Sequence, residues 1–334
     1  MAIKFSENSG LNNGMWKDTD LAIRSWLMDA DTEKNNYDDT LNAMFNVGKS
    51  KQFGEKLGST TEFGDFDIVP EGGAAVQDDI QEGFDKLITH EQMLKGFTIT
   101  ANMLEDNRVA DMKVKAEQFV KSYKRSRLAE ATALLTGATA TQVKWGGKQL
   151  DASCADKGAL FATNHPSIKG SLTQSNVFTN DFGNDDSMLY TLINIGRNFK
   201  NSSEIPMGYD FDTIMIPSDA PQLERLIQKI IGSEQQVGSN YNDVNVLKGK
   251  LKLVVNPLWN TAGIAKKPYI IMSSAANKEL RGNMFYDRIP LTVSDDVDKK
   301  TSDLNYYGRY RAGCGFNAWQ HIIMGGAATG TTLS

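Results

Sequence analysis

The segment that most constrains the fold of this chain runs from residue 67 to residue 106 and reads DIVPEGGAAVQDDIQEGFDKLITHEQMLKGFTITANMLED. It begins as a glycine-rich, acidic stretch, becomes strand-like around FTIT and then enters a helical pattern. The first half is too polar to be buried in its own core, and its alternation is too regular for a linker. We therefore expect an extended arm that is completed by contacts outside that core.

A long amphipathic helix is predicted after this arm, at about residues 105–136, and Gly137 follows where a helix C-terminal glycine is expected. The apolar residues that recur at helical spacing are Met112, Phe119, Val120 and Tyr123. Such a helix would be roughly 48 Å long, far above the average for globular proteins. We expect the apolar stripe to pack on a sheet of the same chain. The other side is basic and is interpreted either as a solvated face or as a contact for an acidic neighbour.

Composition places the chain among ordinary globular proteins. Its 334 residues are 40% hydrophobic and 23% charged, which suffices for one large or two modest domains. The formal net charge is −5. A protein that grips nucleic acid by neutralising phosphates should carry a basic excess, so phosphate-backbone binding is not expected as the main task.

The two cysteines, Cys154 and Cys314, are too few for a disulfide framework and lack the spacing of a metal site. We expect reduced thiols. The first residues, MAIKFSENSGLNNGMW, contain no apolar run that could serve as a signal peptide, and no stretch resembles a membrane span. The sequence therefore predicts a protein made in the cytoplasm, without a membrane partner.

The remaining patterns place helices early and strands late, which predicts an α+β fold. Residues 1–60 contain two short helical patterns. The first is DTDLAIRSWLMDA, capped by Asp18 or Thr19 with Leu21, Trp26 and Leu27 on its apolar side, and the second is YDDTLNAMFNV. They are interpreted as an arm that packs on something else. FDTIMIPSDAPQLERLIQKIIGS predicts a strand, a turn with Ser218 as a cap and a helix, and five strand patterns follow.

No constellation of catalytic residues stands out. His165 lies in LFATNHPS, where the following proline and the polar neighbours favour a tight surface turn over a ligand or a base. Phosphate-binding glycine motifs and a nucleophile elbow are absent. Asp78, Asp79 and Glu82 are interpreted as solvated charges, not as cation ligands. The sequence predicts no catalytic, cofactor-binding or metal-binding residue and argues against an enzyme.

Four segments occur in an order that resembles one known family. They are EGGAAVQDDIQEGFDKLITHEQMLKGFTITANMLEDN, IMIPSDAPQLERLIQKI, NDVNVLKGKLKLVVNPLW and YYGRYRAGCGFNAWQHIIMGGA. Together they resemble the tailed-phage major capsid protein of the Hong Kong 97-like fold, over roughly residues 60–327. The resemblance is closest to the Mu-like head-subunit branch. The order of the four segments carries it, because no single motif is diagnostic.

The resemblance implies a capsid fold with five parts. They are an N-terminal arm at 1–60, an extension loop at 61–100, a peripheral domain with a spine helix at 101–200, an axial domain at 201–280 and a return to the peripheral domain at 281–334. In this family the extension loop is a two-stranded hairpin that lies over a neighbouring subunit. Some relatives begin with a scaffolding segment that is cut away; the initiating MAI here favours a separate scaffold.

The function implied by the resemblance is self-assembly into the icosahedral head shell that encloses the genome of a tailed bacteriophage or prophage. The implied partners are further copies in pentamers and hexamers, a scaffold, a portal, possible decoration proteins and packaged double-stranded DNA bound without sequence specificity. Assembly is expected in the bacterial host cytoplasm. Two alternatives remain open: an encapsulin-like compartment shell of the same fold and a soluble α+β enzyme.

Seven residues are candidates for the subunit interface: Asp78, Asp79, Glu82, Lys86, Lys124, Arg125 and Arg127. A shell built from one chain must bring unlike patches together, because identical charged patches repel. The acidic loop of one subunit is therefore expected to approach the basic residues of the long helix of a neighbour. Lys86 is included because some relatives join a loop lysine to an asparagine of a neighbouring subunit.

Overall fold

The computed structural model describes residues 3–5, 14–60, 63, 66, 68–74, 77, 79–168, 172–238, 243–264 and 266–333, and this part of the chain is α+β as predicted. Its helices are α1 (Gly14–Thr32), α2 (Asn36–Met44), α3 (Ala101–Glu105), α4 (Val109–Thr136), α5 (Ser187–Arg197), α6 (Pro221–Gly232) and α7 (Ser274–Glu279). Its strands are β1 (Lys4–Phe5), β2 (Asn46–Lys49), β3 (Gly54–Thr60), β4 (Glu82–Thr89), β5 (Glu91–Ile99), β6 (Gln142–Trp145), β7 (Lys148–Asp151), β8 (His165–Pro166), β9 (Thr173–Gln174), β10 (Thr213–Pro217), β11 (Lys252–Asn256), β12 (Tyr269–Met272), β13 (Asn283–Val297), β14 (Leu304–Phe316) and β15 (Ile322–Gly325).

The first sheet has the strand order β1-β13-β14-β5, and β2 lies beside β13. Helix α4 lies across one face of it: the Phe119 ring is 4.9 Å from the Phe97 ring, and the Tyr123 ring is 4.9 Å from the Tyr310 ring. Gly308 makes this approach possible, because a Cβ at that position would lie 2.3 Å from the Phe119 ring. The apolar stripe predicted for the long helix is therefore confirmed.

The long helix begins later than predicted. It starts at Val109, and the residues before it form the separate short helix α3. Asn107 lies between the two helices with φ of 51°, a left-handed conformation that interrupts helical hydrogen bonding. With 28 residues, α4 is about 42 Å long and still spans the first sheet.

The two N-terminal helices pack on α4 of their own chain. Their fully buried apolar residues are Ile23, Leu27, Leu41 and Met44. Helix α1 begins at Gly14, so the predicted caps Asp18 and Thr19 lie inside it, and Leu21 is 64% exposed although it was placed on the apolar side. Ile23 and Leu27 are fully buried, so the apolar side of α1 is centred on these two residues, and of the residues predicted for it Leu27 is confirmed.

The second sheet has the strand order β11-β10-β12-β15. Strand β10 is buried along its whole length. It pairs in parallel with β11 and antiparallel with β12. The predicted strand, turn and helix are all present here. However, α6 follows Ala220, and the Ser218 hydroxyl donates to the carbonyl oxygen of Trp259 at 3.1 Å instead of capping the helix. Strand β15 closes this second sheet by pairing antiparallel with β12.

Strands β3 and β4 form a two-stranded antiparallel hairpin outside both large sheets. The hairpin begins at Gly54, within the segment assigned to the arm, and ends at Thr89. Residues 91–99, which were assigned to the extension loop, form β5 of the first sheet. The hairpin reaches the body through a small separate apolar cluster of Leu57, Ile88, Met284 and Tyr286.

Candidate assembly interface

The tip of the hairpin exposes apolar side chains to solvent. Phe66 and Ile68 have relative exposures of 105% and 102%, and Phe63 and Ile80 are exposed by 60% and 44%. Neighbouring large apolar side chains in solvent mark interaction surfaces, and a two-stranded hairpin alone is marginally stable in water. The hairpin tip, defined as residues 63, 66, 68–74, 77, 79 and 80, is therefore a surface that a second molecule is suited to cover.

Acidic residues lie on the same hairpin. Asp79 and Glu82 are exposed, as predicted, whereas Asp78 lies outside the described residues. Lys56 on β3 and Asp85 on β4 form an ion pair across the two strands at 2.7 Å. The hairpin thus combines uncovered apolar side chains with negative charge.

Lys86 connects the hairpin to its own chain. Its Nζ donates to Ser153 Oγ at 2.9 Å and lies 2.7 Å from Asp151 Oδ2 at the end of β7. The residue is only 6% exposed. In this arrangement the amine holds β4 of the hairpin to the end of β7 of the same chain.

Lys124 is buried under the N-terminal helices. Its Nζ donates to three carbonyl oxygens, those of Ala30, Asp31 and Glu33, at 3.2, 2.8 and 3.0 Å. These carbonyls belong to the last turn of α1 and the residue after it, where the helix leaves acceptors unsatisfied. Lys124 therefore caps the C-terminal end of α1 from α4.

Arg127 is buried one turn further along α4. It lies 2.6 Å from Asp287 Oδ2 on β13 and 3.4 Å from Asp38 Oδ1 on α2. Burial raises the pKa of Asp287, and the Arg127 guanidinium opposes that rise. The prediction that Lys124 and Arg127 lie on an exposed face is wrong, because the N-terminal helices and β13 cover them; Arg125 is exposed as predicted.

The first sheet has a second face that α4 does not cover. Alternation along β5 and β14 directs Phe97 and Tyr306 towards α4. The opposite side, called here the outer sheet face, carries Leu94, Tyr307, Arg309 and Arg311. Leu94 is 67% exposed and Tyr307 50%. This apolar and basic face was not predicted, although the alternation in NYYGRYRAG indicates it.

His165 is buried, so the prediction of a surface turn is wrong. It is 1% exposed, and its ring stacks on Trp319 with 4.4 Å between centroids. Its Nδ1 lies 2.6 Å from Asp156 Oδ2 and its Nε2 lies 3.3 Å from Asn176 Oδ1. These two partners satisfy both ring nitrogens, and their hydrogen bonds offset the free-energy cost of removing the imidazole from water.

Glu130 of α4 is buried against β14. It is 1% exposed, and its Oε2 makes no hydrogen bond within the described part of the chain. Burial, reinforced by the charge of Glu91, raises the pKa of Glu130 to about 8. The carboxyl is therefore mainly neutral at pH 7, in a helix that the rest of the subunit packs around.

Replacing Glu130 by Gln should change the pH dependence of stability. The pKa of Glu130 is higher in the folded chain than in the unfolded chain. The free energy of unfolding of the wild type therefore falls as pH rises from about 5 to about 8, and stability at low pH is unaffected. Over pH 5–7 this amounts to roughly 2–3 kcal/mol, which Glu130→Gln should remove. Urea unfolding of both proteins at pH 5, 6 and 7 measures it; parallel pH curves would contradict the assignment.

A cavity of about 280 Å³ lies at the root of the hairpin, lined by Ser59 and Phe84 from the hairpin and by Asp156, Asn317 and Trp319 from the body. Among the described residues, no three His, Cys, Asp or Glu side chains are arranged to hold a metal ion. In that same part of the chain, none of the helices has the length and apolar character needed to cross a membrane.

No family model matches the chain, and no curated protein matches it in sequence. Solved structures do match. The chain is similar to the capsid of the empty GTA particle, with a TM-score of 0.53 and 11% identity, covering 88% of this chain and 90% of that one. It is similar to a protein of Mycobacterium phage Patience (TM-score 0.53, 10% identity, coverage 98% and 94%) and to the procapsid of bacteriophage JBD30 (0.50, 11%, 97% and 77%).

At these identities the likeness concerns the fold. It extends over 88–98% of this chain in the three cases. The chain has the α+β, Hong Kong 97-like fold of phage capsid subunits.

Proposed function

We propose that this chain is a major capsid protein that self-assembles into the icosahedral head shell of a tailed bacteriophage or prophage. The observation that carries the proposal is the projecting hairpin, whose Phe66 and Ile68 are fully exposed. Burying them on another copy stabilises an oligomer, and a contact between unlike surfaces of identical chains generates rings when the rotation closes. The likeness to capsid subunits supports this function.

The outer sheet face is the proposed partner of the hairpin. Its exposed Leu94 and Tyr307 suit the apolar tip, and Arg309 and Arg311 suit the acidic residues beside it. Arg125 is the one basic candidate of α4 that is exposed and remains a proposed contact. Apolar area would supply most of the affinity, and opposite charge would orient the subunits.

The finer assignments are part of the same proposal. They are the Mu-like branch, the five parts of the subunit, a scaffold, a portal, decoration proteins and assembly in the bacterial host cytoplasm. Packaged double-stranded DNA would be retained by enclosure, since the net charge of −5 does not favour phosphate binding. The proposed role is structural and requires no catalytic residue.

Electron microscopy tests the function directly. The full chain, expressed in bacteria and purified by sedimentation, is expected to yield fast-sedimenting closed or partly closed shells built from rings of five and six copies. If the chain stays monomeric at every protein and salt concentration tried, and also with the neighbouring genes co-expressed, the proposed function is wrong.

Reversing the charge of Asp78, Asp79 and Glu82 to Lys should impair assembly at low salt. Each exposed pair contributes only about 0–1 kcal/mol, but the contact repeats in every subunit of a shell. Raising the salt should reduce the difference, because the Debye length falls to about 3 Å at 1 M. Light scattering against salt concentration, with electron microscopy of the products, measures the effect.

Compensation makes this test specific. Reversing Arg125, Arg309 and Arg311 to Glu in the same chain should partly restore shells. The matched control reverses three other exposed acids: Glu105 at the end of α3, Asp106 directly after it and Glu117 in α4. This control should assemble like wild type. Normal assembly of the hairpin variant at all salt concentrations would show that its charge does not orient subunits.

A further inference from the structure

An open groove runs along α4 beside Trp145 of β6. Two adjoining cavities form it, one of about 450 Å³ and one of about 200 Å³, and both are lined by Ser126 and Trp145. The α4 residues that line it lie between Ser122 and Thr136, a stretch of about 21 Å along the helix axis. Apolar side chains of other elements form its walls: Trp145, Met93 and Leu258. This surface is called here the α4 groove.

The floor of the α4 groove consists of short side chains. Ser122, Ser126, Ala129 and Ala133 follow one another at steps of four, three and four residues, and all four are partly exposed. This spacing places them on one side of α4. A second helix lying along them can insert large apolar side chains between Trp145 and the floor, with the two helix axes nearly aligned. The groove therefore has the length and shape for several turns of a helix.

Three basic side chains beside the α4 groove have no acidic partner. Lys95 and Arg125 line the groove, and Lys121 is exposed on α4 directly before Ser122. Lys95 donates to Ser122 Oγ at 3.1 Å. Among the residues that the structure describes, no carboxylate forms an ion pair with any of these three cations. The groove is thus apolar inside and positively charged at its rim.

The start of α4 shows the opposite arrangement. There Arg108 pairs with Asp111 at 2.5 Å, and Lys113 pairs with Glu117 at 3.8 Å. The uncompensated positive charge is therefore confined to the part of α4 where the apolar groove lies open. Apolar area supplies most of the affinity of a protein contact, and opposite charge orients the partner. Both features together indicate a partner that is apolar on one side and acidic beside it.

We propose that the α4 groove binds an acidic amphipathic helix of a separate protein chain. The described helices of this chain offer no match: α1 exposes Leu21 and Met28, but Asp29 is the one fully exposed charge among its described side chains. The hairpin is extended and is assigned to the outer sheet face, on the side of the first sheet opposite α4. The inference rests on the proposed function only for its purpose, since a helix bound here would act on the subunit during shell assembly.

Peptide binding to the unassembled full chain tests the groove. The probe is a designed, fluorescein-labelled helix of about 20 residues, with Leu at steps of four and three and Glu on both flanks. Its twin carries Lys in place of every Glu. Fluorescence anisotropy should show saturable binding of the Glu peptide and binding of the Lys twin at least about tenfold weaker. Equal affinity for the two peptides, or no saturation by the Glu peptide up to about 1 mM, overturns the proposal.

Substitutions in the chain place the binding in the groove. Ala129→Trp fills the floor and should lower the affinity for the Glu peptide at least about tenfold, because the bulky ring occupies the space of the helix. The matched control is Val114→Trp, at an exposed position of α4 outside the groove, which should bind like wild type. Equal affinity of these two variants contradicts the proposal.

A charge variant decides the matter if Ala129→Trp does not fold. Lys95→Glu with Lys121→Glu changes two exposed residues and leaves Arg125, which is also a proposed contact of the hairpin, unchanged. The pair should weaken binding of the Glu peptide by about tenfold and should strengthen binding of the Lys twin. Affinities that do not respond to this reversal overturn the proposal.

Peptides copied from this chain test the alternative occupant, a second copy. One covers residues 19–34 of α1 and its C-terminal end, and the other covers residues 63–82 of the hairpin. Saturable binding of either peptide that Ala129→Trp removes would assign the groove to a second copy and overturn the proposal. None of these measurements requires shells, so a negative result leaves the proposed function standing, whereas an absence of shells in electron micrographs contradicts that function and not the groove.

Discussion

Replacing Phe66 and Ile68 together by Ser is expected to abolish shell formation and to leave the thermal stability of the subunit unchanged. Both side chains are fully exposed, so the change removes nothing from the core. Burying each one at a contact contributes about 1.5–3 kcal/mol, so the pair accounts for at least ~3 kcal/mol, or more than a hundredfold in contact affinity. Sedimentation velocity and electron microscopy at matched concentrations measure the loss.

The matched control for this variant keeps the apolar character of the tip. Phe66→Leu with Ile68→Val should assemble, with a higher critical concentration than wild type. Shells in normal yield from the Ser variant would mean that the hairpin tip stays in solvent in the particle, and the hairpin would then not be the contact that drives assembly.

Replacing Phe119 by Ala should destabilise the subunit by about 3–5 kcal/mol. The ring is 6% exposed and fills the space that Gly308 leaves between α4 and the first sheet, against Phe97. Truncation leaves a cavity at the centre of this contact, because Gly308 directly beneath the ring has no side chain. Urea unfolding of the unassembled subunit gives the free energy.

The control for Phe119 lies on the same helix. Lys121→Ala changes an exposed residue of α4 and should alter the free energy of unfolding by no more than about 0.5 kcal/mol. A Phe119→Ala subunit as stable as this control would place the ring outside the core and overturn the packing of α4 on the first sheet.

Periodicity in the sequence was sufficient to predict the parts of the fold that rest on burial. The stripe containing Phe119 and Tyr123 repeats at helical spacing, and the closely spaced late strands, including β10, have buried apolar runs. The same stripe continues to Arg127, four residues after Tyr123, so its burial was also indicated by spacing. The positive charge of Arg127 nevertheless favoured an exposed side chain. The carboxylate that balances this charge belongs to Asp287, which lies 160 residues away and could not be identified from local sequence.

Long-range partners explain the other differences from prediction. Lys124 is buried because it meets the carbonyl oxygens at the end of α1, more than 90 residues earlier. His165 is buried because Asp156 and Trp319 enclose it, and the His-Pro pair gives no sign of either. The outer sheet face could not be predicted because β5 supplies Leu94 and β14 supplies Tyr307. Only the pairing of these two strands places both side chains on one face.

The most direct measurement of the central claim is an icosahedral cryo-EM reconstruction of particles formed by this chain. We expect each β3–β4 hairpin to lie across the outer sheet face of an adjacent copy, with Phe66 and Ile68 covered and Leu94 and Tyr307 removed from solvent. A hairpin folded back on its own subunit, or one that leaves the tip and the outer sheet face in solvent in closed particles, would contradict the account.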